Sequence, residues 1–561
     1  MENEAGAITE TLTRLGAELE RVDMGLEVPD APDARRLRGE LTGQIGDYLL
    51  PRLRQMDAPL LLVVGGSTGA GKSTLVNSLV GHEVSPAGVL RPTTRAPVLV
   101  CHPADARWFE TERVLPGLNR TVGGHAEHGG IEIAPSESLT PGLALLDSPD
   151  VDSVVEANRD LARQLLAAAD AWLFVTTAAR YADAVPWELL HAARDRGTSL
   201  CLVLNRVPGD AHEVAGHLRE MLADQGVQDT ELLVVYEIAL ADGLLPPGAL
   251  APVREWLDRL AADAEEREGL VRRTLVGALD SIPRRVETIE RVVAEQQGEA
   301  EELRGDVAGA YAAALTQVDE AMKSGSLLRG EVLARWQDVV GTGEMMRAME
   351  ARIGWLRDRV RSLVTGAPSA DAELKAAVES SIEGLVHAAA DRAAERAHDS
   401  WRGRPAGRAL LRPGDGLDSA SPELIERMRE QVRDWQGYVF ELVRSEASDK
   451  RTTARLASLG VNGAGLTVML AVFLQTGGLT GAEVAIAGGT SALSQKVLEA
   501  IFGDQAVRAL AARARDELLS RVEHALEGEA ARYELLLDPV APAPDAAERL
   551  RTAARALEQS R

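Results

Sequence analysis

Leu60-Leu61-Leu62-Val63-Val64-Gly65-Gly66-Ser67-Thr68-Gly69-Ala70-Gly71-Lys72-Ser73-Thr74 is the stretch on which the reading of this chain turns. Five consecutive apolar residues bounded by glycines read as a buried strand. Gly66 through Ser73 then fit the spacing G-x-x-x-x-G-K-[ST], and Leu75–Val80 read as the helix that follows. The order strand, glycine-rich loop, helix makes a phosphate cradle. The glycines let backbone N–H groups curl around a β-phosphate, and the helix N-terminus adds positive potential. Lys72 reaches the β- and γ-phosphates, and Ser73 sets its hydroxyl on Mg²⁺. The candidate nucleotide-binding residues here are Gly66, Ser67, Thr68, Gly69, Ala70, Gly71, Lys72, Ser73 and Thr74. A chance glycine-rich turn is the alternative, and it leaves the flanking strand and helix unexplained.

Outward from this loop, residues 58–251 carry further short apolar runs: Ala96–Cys101, Leu143–Leu146, Trp172–Val175, Leu200–Leu204 and Leu232–Val235. Helical stretches lie between most of them. Such alternation predicts an α/β domain with a mostly parallel sheet covered on both faces. Leu143-Ala144-Leu145-Leu146-Asp147-Ser148-Pro149-Asp150 is a strand ending in a carboxylate, and Asp147 is placed to hold Mg²⁺ through water. Between loop and strand lies Leu90-Arg91-Pro92-Thr93-Thr94-Arg95-Ala96-Pro97. A Thr in a mobile loop there has a hydroxyl for Mg²⁺ and a backbone for the γ-phosphate and the attacking water. Leu202-Val203-Leu204-Asn205-Arg206-Val207-Pro208-Gly209-Asp210 is a strand ending in Asn, where a base-recognition loop belongs.

At these residues the chain resembles the bacterial dynamin-like family of GTPases. Gly66–Ser73 is similar to the family's first motif. Thr94-Arg95-Ala96-Pro97 resembles its switch I pattern, which favours Thr94 over Thr93. Asp147-Ser148-Pro149-Asp150 resembles D-x-P-G, and Asn205-Arg206 resembles the start of N/T-K-x-D. Four departures stand out. Thr68-Gly69 occupy the place of a Gln-Ser pair, Asp150 that of a Gly, and Arg206 that of a Lys. Pro208 holds the slot of the guanine-reading Asp, with Asp210 two residues late. The resemblance implies GTP and Mg²⁺ as ligands, with Lys72, Thr94 and Asp147 as catalytic residues and Ser73, Thr94 and Asp147 around the metal. Asn205, Arg206 and Asp210 would lie at the base. ATP stays open as the alternative, because the local residues do not themselves secure guanine. The resemblance also implies a homo-dimer or hetero-pair through the G domain, and GTP-coupled bending, tethering or fusion of membranes. The acidic start Met1-Glu2-Asn3-Glu4 shows no secretory signal pattern, so a cytoplasmic location is expected, in association with the inner face of the cell membrane.

The remaining sequence is helical. Ile8, Leu12, Leu15, Leu19, Val22 and Leu26 alternate four and three apart, and Leu37, Leu41, Ile45 and Leu49 continue after a break at Val28–Pro32. Ile282, Val286, Ile289, Val293, Gln296, Ala300, Leu303, Val307 and Ala310 form a second, longer seam. Ser421-Pro422 reads as a helix start. These features predict N-terminal helices over 1–57, the P-loop domain over 58–251, a long all-α helical-bundle trunk over 252–455 formed with N- and C-terminal helices, and return helices with a tail over 503–561.

Residues 456–502 are apolar, without a charge from Leu456 to Ala482, and divided at Gly477-Gly478. Each half is shorter than the ~20 residues of a full membrane span. A re-entrant hairpin, or paddle, flanked by Lys450, Arg451, Arg455, Lys496 and Arg508 fits an anionic lipid surface. A hairpin buried in the trunk's own core is the alternative. In that case the protein would be a soluble regulatory GTPase or scaffold with a protein or ribonucleoprotein partner.

The whole chain of 561 residues carries a net charge of -25, which argues against general nucleic-acid binding. Aromatic residues make up only 3%, in keeping with helices rather than a β-sandwich. The two cysteines, Cys101 and Cys201, sit in apolar runs and read as buried free thiols. His125 and His128 lie in a glycine-rich segment with no third ligand near, so a solvated loop is expected there rather than a metal site.

Overall fold

The structure is a computed structural model. It describes residues 2–86, 96–323 (apart from 112–113, 116–117, 123–129, 154–155, 196–197, 210, 228–229 and 263), 370–446, 469, 472 and 504–561. The chain divides into two compact units. The first comprises residues 1–24, 29–295 and 542–561, and the second 25–28 and 296–541.

The first unit is built on one eight-stranded sheet: β1 (Leu60–Gly66), β2 (Val98–Cys101), β3 (Asn119–Val122), β4 (Gly130–Pro135), β5 (Leu143–Asp147), β6 (Ala171–Thr177), β7 (Ser199–Val207) and β8 (Glu231–Tyr236). Their order is β3-β4-β2-β5-β1-β6-β7-β8. Every neighbouring pair is parallel except β2 with β5. β1, β5 and β6 are buried along their whole length. That is what unbroken Val/Leu runs require at the centre of a sheet covered on both faces. Helix Lys72–Val80 packs on β1 and β5, and helix Glu156–Ala167 on β1 and against helix Ala31–Gln44. The six apolar runs read from sequence are six of these strands.

Helix Glu2–Arg21 buries Leu12, Leu15 and Leu19 and packs against helix Ala546–Gln559. Across them Arg549 Nε donates to Glu18 Oε2 at 2.9 Å. The seam spacing continues to Val22 and Leu26, but the helix stops at Arg21. Both residues are still buried. After helix Ala31–Gln44 comes a π-helical turn, Ile45–Leu49, and a short helix Leu50–Arg54. Arg52 from this segment is buried against Asp170 at 3.1 Å, and the Leu61 N–H donates to Asp170 at 2.8 Å. Burial pushes the Asp170 carboxyl up, and Arg52 only partly offsets it. Cys101 and Cys201 are buried and free, and burial pushes the Cys101 thiol up to about 12.

The long helix Ala264–Lys323 realises the second seam. All nine seam positions from Ile282 to Ala310 are buried. In the second unit its residues from Gln296 onward join helices Ala370–Gly403, Pro405–Leu410, Pro422–Glu446 and Asp504–Leu537. Their core holds Trp401, Trp435 and Tyr533 with runs of alanine such as Ala389, Ala390, Ala393 and Ala397. Each of these three rings also satisfies its polar atom. Trp401 Nε1 donates to Leu303 O (3.0 Å), Trp435 Nε1 to Ala514 O (2.7 Å), and Tyr533 Oη to Ala394 O and Leu417 O (3.0 and 2.8 Å). Such pairing is what a buried indole or phenol requires. Of the apolar segment 456–502, only Met469 and Val472 belong to the described residues, and both are buried in this core. No helix among the described residues is long and apolar enough to cross a membrane.

Candidate nucleotide site

The loop between β1 and helix Lys72–Val80 is set by two steric facts. Gly66 has φ +144°, and a Cβ there would lie 2.1 Å from Val175 O. Gly71 has φ +96°, and a Cβ there would meet Asn205 Nδ2 at 2.6 Å. No L side chain is tolerated at either point, so the loop runs tight against β6 and β7. Helix Lys72–Val80 then starts with Gly71 as its N-cap.

Lys72 is buried. Its ammonium donates to Gly66 O (2.9 Å) and Ser67 O (3.3 Å) and is ion-paired with Asp150. Ser73 Oγ donates to Asp147 Oδ2 at 2.6 Å. A second hydroxyl, Ser85 Oγ, donates to the same oxygen at 2.6 Å. Ser85 is placed there by Asn77, whose Oδ1 accepts from the Val84 and Ser85 amides and whose Nδ2 donates to Ser85 O. Asp147 is fully buried, and its other oxygen, Oδ1, has no hydrogen-bond partner among the described residues. Burial drives the carboxyl up, while Ser73, Ser85 and Lys72 pull it back only in part. A buried carboxylate with an orphaned oxygen beside a serine hydroxyl lacks positive charge. Those donors suit a hard divalent cation such as Mg²⁺.

Two further residues brace the loop tip. Asp152 Oδ1 accepts from the Thr68 amide (2.6 Å) and hydroxyl (2.7 Å). Arg180 donates to Thr68 O (2.7 Å), Asp152 Oδ2 (2.8 Å) and Asp183 Oδ2 (2.8 Å). Burial raises the Asp152 carboxyl, but the Thr68 and Arg180 bonds outweigh it and hold it below the usual carboxylate value. No motif spacing points to Asp152.

On the far side, Asn205 is buried, and its Nδ2 donates to Ala70 O at 2.8 Å. The strand does not end there as expected. β7 runs on to Val207 with a register shift against β8, and Arg206 adopts φ 53°. That left-handed backbone at a non-glycine residue is uncommon and marks a locally constrained loop. The structure therefore brings Gly66–Thr74, Asp147 and Asn205 to one place, with Arg206 adjoining. Thr94, His125, His128 and Asp210 lie outside the described residues. No group of three potential metal ligands of the His, Cys, Asp and Glu types occurs among the described residues.

Comparison with known proteins bears on the same segment. Residues 62–115 match the family model described as the Dynamin family. A curated relative, a probable transmembrane GTPase, FZO-like and chloroplastic, from Arabidopsis thaliana, is 22% identical over 201 residues. That match spans 35% of this chain but only 21% of the relative, so this chain covers about a fifth of the relative's length. Among solved structures, an oligomerised bacterial dynamin pair, described as a mechanism for long-range sensing and tethering of membranes, aligns at 10% identity. It covers 99% of this chain and 95% of its own, with a TM-score of 0.40. An Era protein of Aquifex aeolicus bound to GDP.AlF4- aligns at 19% identity over 36% of this chain and 56% of that one, with a TM-score of 0.24. The resemblance read from the motifs thus meets a dynamin-family match at the phosphate loop itself.

Proposed function

We propose that this chain is a dynamin-like GTPase that binds GTP with Mg²⁺, hydrolyses it, and couples the cycle to dimerisation and membrane contact. The convergence of Lys72, Ser73, Asp147 and Asn205 on one glycine-lined loop is the observation that carries the reading. The loop amides and Lys72 take the phosphates, and Ser73 and Asp147 hold the metal. Held by Ser73 and Asp147, Mg²⁺ would supply neutralisation of phosphate charge. The preorganised amides stabilise charge that develops on the leaving phosphate. Thr94 is assigned to switch I by the motif resemblance, and Asn205 and Arg206, with Asp210, to the base. Asn205 ties the base loop to the phosphate loop, so base identity and phosphate grip are read by one connected element. Competition of unlabelled GTP and ATP against a fluorescent guanine nucleotide tests the assignment. GTP is expected to displace the label at a concentration at least tenfold lower than ATP. Equal potency of the two would overturn the guanine reading.

Membrane contact is assigned to residues 456–502, with the inner face of the cell membrane as its location. A second reading, a soluble regulatory GTPase with its hairpin buried, is favoured by the burial of Met469 and Val472 in the helical core. Flotation with anionic liposomes separates the two. The full chain should float, and a chain lacking residues 456–502 should stay at the bottom. If both stay down, the buried-hairpin reading holds.

A further inference from the structure

Asp150 stands where the resembled D-x-P-G pattern has glycine, and its carboxylate is not turned away from the site. It is ion-paired with the Lys72 ammonium. The arrangement is anchored through backbone and does not depend on a wandering side chain. The Ser148 N–H donates to Val64 O (3.2 Å), the Val151 N–H to Gly66 O (3.4 Å) and the Ser153 N–H to Asp150 O (3.2 Å). The Ser148 hydroxyl adds a bond to Val64 O at 2.9 Å. The turn carrying Asp150 is thus laced to the end of β1, directly over the phosphate loop.

The lysine's hydrogen-bonding capacity is consumed there. An ammonium has three N–H donors. Those of Lys72 face Gly66 O, Ser67 O and Asp150. Asp147 and Asp152 add two more carboxylates within the same site, and Arg180 is the cation that pairs with Asp152. A β-phosphate rests in the loop amides. A γ-phosphate brought to Lys72 has to share that ammonium with the Asp150 carboxylate already paired to it. Two anions beside one buried ammonium repel, and solvent at the partly exposed Asp150 carboxylate moderates that repulsion without removing it.

We infer that Asp150 is a specificity-determining residue that makes this site favour a nucleoside diphosphate over a triphosphate. The inference deepens the guanine-nucleotide reading above and rests on it. A triphosphate is admitted only when Asp150 leaves Lys72, so the step that arms the switch carries a cost that glycine would not impose.

The test compares dissociation constants for fluorescent GDP and a non-hydrolysable fluorescent GTP analogue, both with Mg²⁺, on the full chain. Wild type is expected to hold GDP at least tenfold more tightly than the analogue. Asp150→Gly and the isosteric Asp150→Asn should each tighten the analogue roughly ten- to a hundredfold, the scale of one charge-assisted contact. Affinity for GDP, which meets Lys72 with one phosphate only, should tighten by a clearly smaller factor than affinity for the analogue. A diphosphate-to-triphosphate ratio that neither variant shifts overturns the inference and leaves the guanine-nucleotide reading standing. A wild-type chain that takes up neither nucleotide removes that reading, and the inference with it. Asp150→Asn keeps the side-chain volume, so a misfolded glycine variant does not blunt the test.

Discussion

Lys72→Ala is expected to weaken binding of GTP by at least roughly a hundredfold and of GDP by at least roughly tenfold, because two phosphates of GTP and one of GDP lose a buried, charge-assisted partner worth about 1.5–3 kcal/mol per bond. Lys72 does two things in the loop. It supplies the positive charge, and through Gly66 O and Ser67 O it holds the loop in its curled shape. Alanine removes both. Lys72→Met retains the packing of the stem but loses both the charge and the two hydrogen bonds to the loop, so the difference between the two variants reports the packing share. Titration of a fluorescent nucleotide reads the affinity. Thermal unfolding shows whether the loss is local, since the carboxylate left behind by either variant, Asp150, is partly exposed and can hydrate. Undiminished binding by both variants would falsify the assignment of this loop as a phosphate cradle, and the mechanical role proposed for the chain would go with it.

How far the sequence discloses this molecule depends on what each signal measures. Apolar runs report burial, so β1, β2, β5, β6, β7 and β8 were visible. β3 (Asn-Arg-Thr-Val) is a short edge strand with half its residues exposed, and β4 begins at Gly130 and ends at Pro135. Neither has a run to detect. The same signal misplaces a helix end. Val22 and Leu26 are buried as the heptad demands, yet both lie past the helix end in chain without regular secondary structure. Side-chain burial and backbone state are separable, and periodicity reports only the first. Within the site, motif spacing found Gly66–Thr74, Asp147 and Asn205, because local backbone geometry dictates those residue types. Ser85 and Asp152 carry no motif signal because each acts through a contact distant in sequence. Ser85 reaches Asp147 only because Asn77 clamps the loop, and Asp152 reaches the Thr68 amide across 84 positions. The Asp150 departure was legible, but the direction its carboxylate takes was not.

The same limit applies in the helical unit, where Ser421-Pro422 reads as an N-cap but its hydroxyl is committed elsewhere. Ser421 Oγ donates to Glu529 Oε1 at 2.6 Å, and the Ser421 N–H donates to Glu529 Oε2 at 2.8 Å. Arg532 donates to Glu529 Oε2 at 3.0 Å, and Arg427 is ion-paired with it. Glu529 is wholly buried on helix Asp504–Leu537, so it locks that helix to the start of helix Pro422–Glu446. Glu529→Ala removes four bonds from three residues at once and leaves a void. The expected loss is about 2–4 kcal/mol, below the full cost of stranding a buried charge because Arg427 is 43% exposed and can turn to solvent. Hydrogen exchange of peptides from 422–446 and 504–537 is the fitting readout, since a chain of two units need not unfold in one step. Protection there should fall by about two orders of magnitude, with the β-sheet peptides unchanged. Glu529→Gln keeps the shape and the acceptor for Ser421 but turns an N–H₂ toward an arginine, so its loss should be intermediate. Equal protection in wild type and Glu529→Ala would mean that the alanine-rich seams and the three aromatic residues hold these helices without a polar lock.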